Sequence, residues 1–221
     1  MRYGNPSIKS KLNLLKEKGC ENVIILPLYP QYAAPTTATV CDEVYRSLMK
    51  MRWQPSLQII PHYESEPLYI EALINSIKKK INEIKWKPDL IISSYHGIPK
   101  SYFNKGDPYQ CYCQKTTRLM NERFNAINIK TTFQSRFGPQ EWLKPYTDKT
   151  LEDLPKSGVK NVLVICPGFA SDCVETLEEI NMAGRETFIK NGGENFDLIP
   201  CLNDSSEHID LFQFLIKKYI Y

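Results

Sequence analysis

After Asn161, the run Val162-Leu163-Val164-Ile165-Cys166 offers no polar face. A strand sends successive side chains to opposite sides, so a strand that is apolar at every step has to be buried on both. Pro167-Gly168 then stops it. Similar short runs recur at Val23 to Leu28, Leu57 to Ile60, Leu90 to Ser93, Ile129 to Gln134 and Asp197 to Pro200. Between them, apolar residues fall at helical spacing. One helix starts at Asn5-Pro6 and carries Ile8, Leu12 and Leu15, and a second carries Val40, Val44 and Leu48. A long one runs from Pro67 to Ile84, and a polar one from Gln110 to Phe124. Others carry Leu151 to Leu154, Val174, Leu177 and Ile180, and His208 to Tyr219. Strand and helix in alternation specify an α/β fold with parallel sheets. Such a fold normally opens on a strand, whereas this sequence opens on a helix. The expectation is therefore that a segment preceding residue 1 is missing.

A chain of 221 residues is ample for a buried core and suits one large or two small domains. The net charge of +3 is small and the lysines are scattered along helical faces, which argues against a nucleic-acid partner. Seven cysteines without framework spacing point to reduced thiols and a cytoplasmic setting. No apolar run approaches the ~20 residues of a membrane span. Met1 to Pro6 lacks the apolar segment of a signal peptide.

In a parallel sheet the carboxyl ends of the strands share one edge, where ligands collect. Three strand ends are informative. One leads into Tyr29-Pro30-Gln31-Tyr32, one into His96-Gly97, and one into Phe169 to Glu175. A cleft built there would hold a neutral base, His96, with Asp172, Glu175 and Glu179 as acids. Tyr29, Tyr32, Tyr109, Phe169 and Trp142 would supply aromatic walls. Each residue also has a plainer reading. A lone histidine at a strand end is more often structural. Glu175 and Glu179, four apart on one helical face, would ordinarily be solvated. Trp142 would ordinarily be core. What favours chemistry is the position of the acids in the first turns after a strand.

Cys111 and Cys113 form a CxC pair, but zinc or an iron–sulfur cluster needs about four such ligands, and no second close pair exists. A Cys–His nucleophile lacks an evident orienting Asn or Asp. The glycine-rich phosphate loops and the G-x-S-x-G elbow are absent from the sequence.

Several motifs, in order along nearly the whole chain, resemble the ferrochelatase family. They are Arg2-Tyr3, Leu28-Tyr29-Pro30-Gln31-Tyr32, Ser94-Tyr95-His96-Gly97-Ile98-Pro99 and Gly106-Asp107-Pro108-Tyr109. Phe133-Gln134-Ser135-Arg136-Phe137-Gly138-Pro139, Trp142-Leu143-Lys144-Pro145 and Pro167 to Glu179 complete the set. The resemblance is to the bacterial type. It implies two Rossmann-like, chelatase-type domains with parallel sheets, the first one incomplete. Residues 1–64 would be the remainder of the first domain, with the helix of 206–221 packing back on it. Residues 65–205 would form the second, carrying His96 and Glu175.

The resemblance further implies a lyase-class metal–porphyrin chelatase that inserts Fe²⁺ into protoporphyrin IX. It marks His96 as the active-site histidine and Glu175 as the essential acid, both near the metal. Asp172 and Glu179 would relay protons or metal. Arg2, Tyr3, Tyr29, Tyr109, Trp142 and Phe169 would line the porphyrin pocket. Ferrous iron is then a substrate, and no organic cofactor is implied.

The chain departs from the family pattern in three ways. Members carry on the order of 90 further residues ahead of Arg2, enough for a βαβ unit and a lid. The iron–sulfur cluster of animal members is not expected, because no cysteine follows Cys201. Cys173 stands where many relatives have histidine. The closing helix, with Lys217-Lys218, is expected to pack onto the first domain, with peripheral contact at the inner membrane surface as the alternative. Sequence leaves oligomeric state open, and whether a chain lacking the family's N-terminal residues turns over at all. A porphyrin-binding remnant and a chelatase for another metal or for coproporphyrin are the competing readings.

Overall fold

The computed structural model describes residues 3–220. Its elements follow the alternation of the sequence. Helix α1 (Ile8–Glu17) precedes strand β1 (Asn22–Ile25). Helix α2 (Thr39–Leu48) leads to β2 (Ser56–Ile59), and the long α3 (Pro67–Glu83) crosses to the second half of the chain. There β3 (Leu90–His96), α4 (Lys100–Asn104), α5 (Tyr109–Arg123) and β4 (Ile129–Gln134) follow in turn. Then come α6 (Thr147–Asp153), β5 (Asn161–Ile165), a π-helical segment (Glu175–Gly184) continuing into α7 (Arg185–Lys190), β6 (Asn195–Leu198) and α8 (Ser206–Lys217).

Every strand pairing is parallel. β1 pairs with β2, Asn22 opposite Ser56. The second sheet has the order β4-β3-β5-β6. The chain therefore leaves β3 toward one side to make β4, then crosses back to the other side to make β5. The carboxyl edge where the winding reverses, between β3 and β5, is the place at which open α/β sheets bind their ligands.

The faces of the second sheet explain its apolar strands. Ile91, Leu163 and Ile165 turn to a layer formed with α3, α5 and α8 through Ile70, Leu73, Ile77, Met120, Leu211 and Leu215. Leu90, Ile92, Val162 and Val164 turn to the opposite layer, with Leu151, Ile180, Phe188 and Phe196. Both faces are covered, as the absence of a polar face requires. Helix α8 lies against α3, and Lys218 pairs with Glu66 at 2.8 Å. Its cluster is shared by Ile60 and Tyr63, with Ile24 and Leu26 of the first half packed at the margin. Among the described residues no helix is long and apolar enough to cross a membrane.

Some local expectations shift. Helix α1 begins two residues later than Asn5-Pro6 implies, because Ser7 is its cap and its Oγ accepts from the Ser10 amide at 3.1 Å. β1 stops at Ile25, before the Pro27-containing turn, and β3 runs on to include His96.

The two halves are joined by polar contacts inside the structure. The side chain of Gln31 is buried and donates to Thr116 Oγ1 at 3.0 Å and, more weakly, to Tyr69 Oη at 3.4 Å. Tyr69 in turn donates to the Pro167 carbonyl after β5. The Ala34 amide donates to Asp107 at 2.7 Å. Glu64, with only 1% of its side chain exposed, accepts from Lys115 at 2.9 Å and from His62 at 2.6 Å. His62 also stacks on Tyr112. Burial pushes the Glu64 carboxyl up, but the donors outweigh it and hold the group below the ordinary carboxylate range.

Replacing Glu64 by Gln leaves Lys115 and His62 without their partner. The expected cost is about 1–3 kcal/mol in urea denaturation at neutral pH. A carboxyl lowered by folding contributes fully above its unfolded value, and that contribution is lost as pH falls through the folded value. The stability gap between the native chain and Glu64→Gln should therefore close in acid.

Candidate active site

His96 is the last residue of β3, opposite Gln134 at the end of β4. The next amide, Gly97 N, donates to the Gln134 carbonyl at 2.7 Å, so the strand pairing continues one residue past the histidine. The imidazole Nδ1 lies 2.7 Å from the Gly97 carbonyl. A carbonyl only accepts, so Nδ1 is the donor in this contact, and in the neutral imidazole the lone pair then lies on Nε2. Partly buried, His96 has its ring oriented by the backbone.

Gly97 itself has no room for a side chain. A Cβ there would stand 3.0 Å from the Gln134 carbonyl oxygen and 3.2 Å from Cε3 of Trp142. Trp142 is buried, bonded through its indole N–H to the Phe137 carbonyl, and packed on the Phe137 ring at 4.9 Å. It is thus part of the core and at the same time the backing of the histidine turn.

The acids follow β5. Its exit turns through Pro167-Gly168-Phe169, where the Phe169 amide returns to the Cys166 carbonyl at 3.1 Å. Glu175 opens the π-helical segment, close to its positive amide end. The wide i→i+5 winding of such segments is frequent at functional sites. A hydrogen bond from the Cys173 thiol, its own backbone amide and the nearby His96 together hold the Glu175 carboxyl below the ordinary range. Burial and the Glu175 carboxylate both push the Cys173 thiol up, so sulfur stays protonated and acts as a donor.

The other two acids are tied down. Glu179 accepts the Ser135 amide at 2.7 Å on one oxygen and the Ser135 hydroxyl on the other. Asp172 accepts from the Cys201 amide at 3.2 Å, the Thr176 hydroxyl at 3.3 Å and Asn203 Nδ2 at 2.8 Å, fastening the loop after β6.

The aromatic residues separate. Phe169 is half-buried against the layer of Ile92 and Val164. Tyr109 lies inside the core with Tyr95, Cys113 and Phe133. Its hydroxyl sits beneath Gly168, 3.7 Å from the position a Cβ would take there. Tyr29 remains 38% exposed. Tyr3 is exposed at a hollow of about 700 Å³ that Tyr32, Tyr102 and Asp107 also line. Arg2 lies outside the described residues. Cys111 is exposed while Cys113 is buried, as expected for positions two apart on a helix, so the CxC pair does not face one site. Among the described residues no three His, Cys, Asp or Glu side chains are grouped to hold a metal ion.

Gln134 and Ser135 lie in the motif Phe133 to Pro139, yet nothing in the sequence assigns either of them a role. Gln134 is the register partner of His96 and bonds to the acidic segment. A polar residue at the end of a buried strand, beside the strand of the histidine, was the available signal. Val174 and Leu177, assigned to a packing face, are exposed at 71% and 49%.

The parallel sheet, the reversal at β3 and the histidine–acid pairing at its edge define a chelatase-type α/β protein. SirB from Bacillus subtilis, solved with Fe³⁺, superposes with a TM-score of 0.70 over 97% of this chain and 78% of its own, at 12% identity. CbiX, the terminal enzyme for siroheme biosynthesis in denitrifying bacteria, gives 0.62 over 93% of this chain and 79% of its own, at 13% identity. At such identities the likeness is one of fold. The family model for ferrochelatase matches residues 1–220, and the chain belongs to the ferrochelatase family. The ferrochelatase of Agrobacterium fabrum is 54% identical over 220 residues, covering 99% of this chain and 64% of the relative. That of Allorhizobium ampelinum is 55% identical with the same coverage. The chain thus spans just under two thirds of the length of these curated relatives.

Two outcomes test this geometry. Gly97→Ala should cost about 1–3 kcal/mol in thermal or urea unfolding, because the nearest obstacle is backbone. Cys173→Ala removes the first donor to Glu175, so the Glu175 carboxyl should titrate higher than in the native chain when followed by carboxyl ¹³C NMR.

Proposed function

We propose that the chain acts as a ferrochelatase, inserting Fe²⁺ into protoporphyrin IX to form protohaem. The observation that carries this reading is the placement at one sheet edge of His96, whose Nδ1 is engaged by the Gly97 carbonyl, near Glu175, whose carboxyl is held below the ordinary range. The reaction exchanges two pyrrole protons for one divalent ion, with no change of oxidation state, so it calls for no redox cofactor. His96 Nε2 accepts a pyrrole proton. Glu175, kept ionised, attracts the ion or receives a proton from the histidine. Its carboxylate also favours the protonated imidazole that results.

Val174 and Leu177 on the acidic segment present exposed apolar side chains that a flat apolar ring could meet. A ring held out of plane presents its nitrogens to the ion, and contacts made better to that form lower the barrier. Asp172 and Glu179 enter the proposal as carboxylates on the same segment. Relay through either would require its present partners to give way to the proton or ion. Ferrous ion and the tetrapyrrole are the partners this reading assigns.

The test is metallation of protoporphyrin IX by the chain, followed by porphyrin fluorescence with Zn²⁺ as a stable probe ion. His96→Ala and Glu175→Gln should each lower the rate by about 100-fold or more in folded samples. Unchanged rates would remove both residues from the mechanism. A Soret shift on porphyrin addition without metallation, in the native chain, would reassign the protein as a binder.

A further inference from the structure

Gln134 is buried to 3% exposure, and both ends of its amide are engaged. Its oxygen accepts from Ser94 Oγ at 2.8 Å on β3 and faces Cys166 Sγ at 3.7 Å at the end of β5. Its nitrogen donates to the Glu175 carbonyl at 2.7 Å and points at Glu179 Oε2 at 3.4 Å. A backbone carbonyl can only accept, so the orientation of the amide is fixed by its partners. One side chain on β4 thus bonds β3, the end of β5 and the start of the acidic segment. Ser135, next in the chain, adds its amide and hydroxyl to Glu179 and adopts φ 61°. That left-handed backbone is costly for a residue with a Cβ and persists where surrounding bonds determine it.

We infer that Gln134 and Ser135 are positioning residues that set where Glu175 stands relative to His96, and that Glu179 serves as the fixed end of this clamp. The inference deepens the ferrochelatase reading and rests on it for its kinetic arm only. The argument is geometric. His96 is opposite Gln134 in the strand register, and the same residue's side chain grips Glu175 through its main chain. Any shift of β4 therefore moves acid and base together. A neutral amide is suited to this place because it neither gains nor loses charge as protons and a cation pass beside it. A carboxylate at Gln134 would face Glu179 and the Glu175 carbonyl with acceptors only. The Oε1 contacts run onward through Ser94 to Thr147 and Thr132, a buried set of hydroxyls that anchors the clamp in the sheet. Glu179, with both oxygens engaged, differs from Glu175, whose donors are the neighbouring thiol and its own amide.

Two measurements on the full chain test this. In hydrogen exchange followed by mass spectrometry, Gln134→Met should speed exchange in residues 169–184 by about tenfold, with residues 67–83 unchanged. Ser135→Gly keeps the amide donor and suits the left-handed backbone. It should give a smaller rise confined to the same segment, and it serves if Gln134→Met fails to fold. In metallation of protoporphyrin IX with Zn²⁺, Gln134→Met should raise KM for the ion roughly tenfold and leave KM for the porphyrin within about twofold. A purely structural loss would not separate the two substrates. Unchanged exchange in 169–184, or a rise spread evenly over the chain, overturns the inference, as does an active native chain whose KM for the ion does not move in the variant. If the native chain does not metallate at all, the exchange result still decides the clamp, and it is the ferrochelatase reading that falls.

Discussion

Strand β3 is paired along both edges and covered on both faces, and the site depends on that confinement. β4 binds it on one side from Ile91 to His96, and β5 binds it on the other from Leu90 to Ser93. The β5 pairing ends three residues before the β4 pairing does. Between Ser93 and His96 the strand is held on one edge and open on the other, which is where the chain reverses its winding. Parallel pairing fixes a strand's direction, and two-sided burial fixes its phase, since a slip of one residue would exchange the two apolar layers. His96 is therefore placed by the sheet core. The Gly97 turn that aims its Nδ1 is locked in the same way, by the Gln134 carbonyl and the Trp142 ring.

Charge at this edge is set by donors more than by depth. Glu175 is only partly buried, yet three influences favour its ionised form, and the largest is a thiol two residues away. Cys173 can play this part because its own proton is made harder to lose by burial and by the carboxylate it serves. The relation is reciprocal: the acid raises the thiol and the thiol lowers the acid. In this way Cys173 supports the acid as a neutral donor. It brings no second titrating base into the site.

The parts of the fold visible in the sequence were those with one dominant cause. The run from Asn161 to Ile165 could only be a doubly buried strand, and α3 from Pro67 could only be a long helix. Convergence of His96 with Glu175 followed from the shared carboxyl edge of parallel strands. The acidic segment was legible as helical but not in its phase. Val174, Leu177 and Ile180 make a face at ordinary helical spacing, whereas the wider winding buries Thr176, Ile180 and Gly184, four apart, and turns Val174 and Leu177 outward. No periodicity in the residues themselves announces i→i+5 bonding. Gln134 was obscured for another reason: a polar residue closing a strand reads as the start of a loop, and its burial depends on Ser94, Cys166 and Glu175, each from a different element. Asp172 and Glu179 had the right chemistry to be read with Glu175, and only their hydrogen-bond partners distinguish them from it.

The same edge also records how the two sheets sit relative to each other. Gln31 comes from the loop that follows β1 of the first sheet, yet its side chain ends in the second half, on Thr116 and Tyr69. Tyr69 passes the contact to the Pro167 carbonyl, in the turn that leaves β5 toward Glu175. The Gln31 Oε1 atom stands 3.6 Å from the Cβ position of Gly168, and it is one of the buried polar atoms without a partner. A buried amide oxygen left unpaired carries a desolvation cost of about 1–3 kcal/mol. Displacement of the Leu28–Tyr32 loop, whose Tyr29 is exposed, would be transmitted through Gln31 and Tyr69 to Pro167. From there only Gly168 to Val174 separate it from Glu175. The loop after β1 and the turn that leads to Glu175 are thus joined through buried hydrogen bonds in the core.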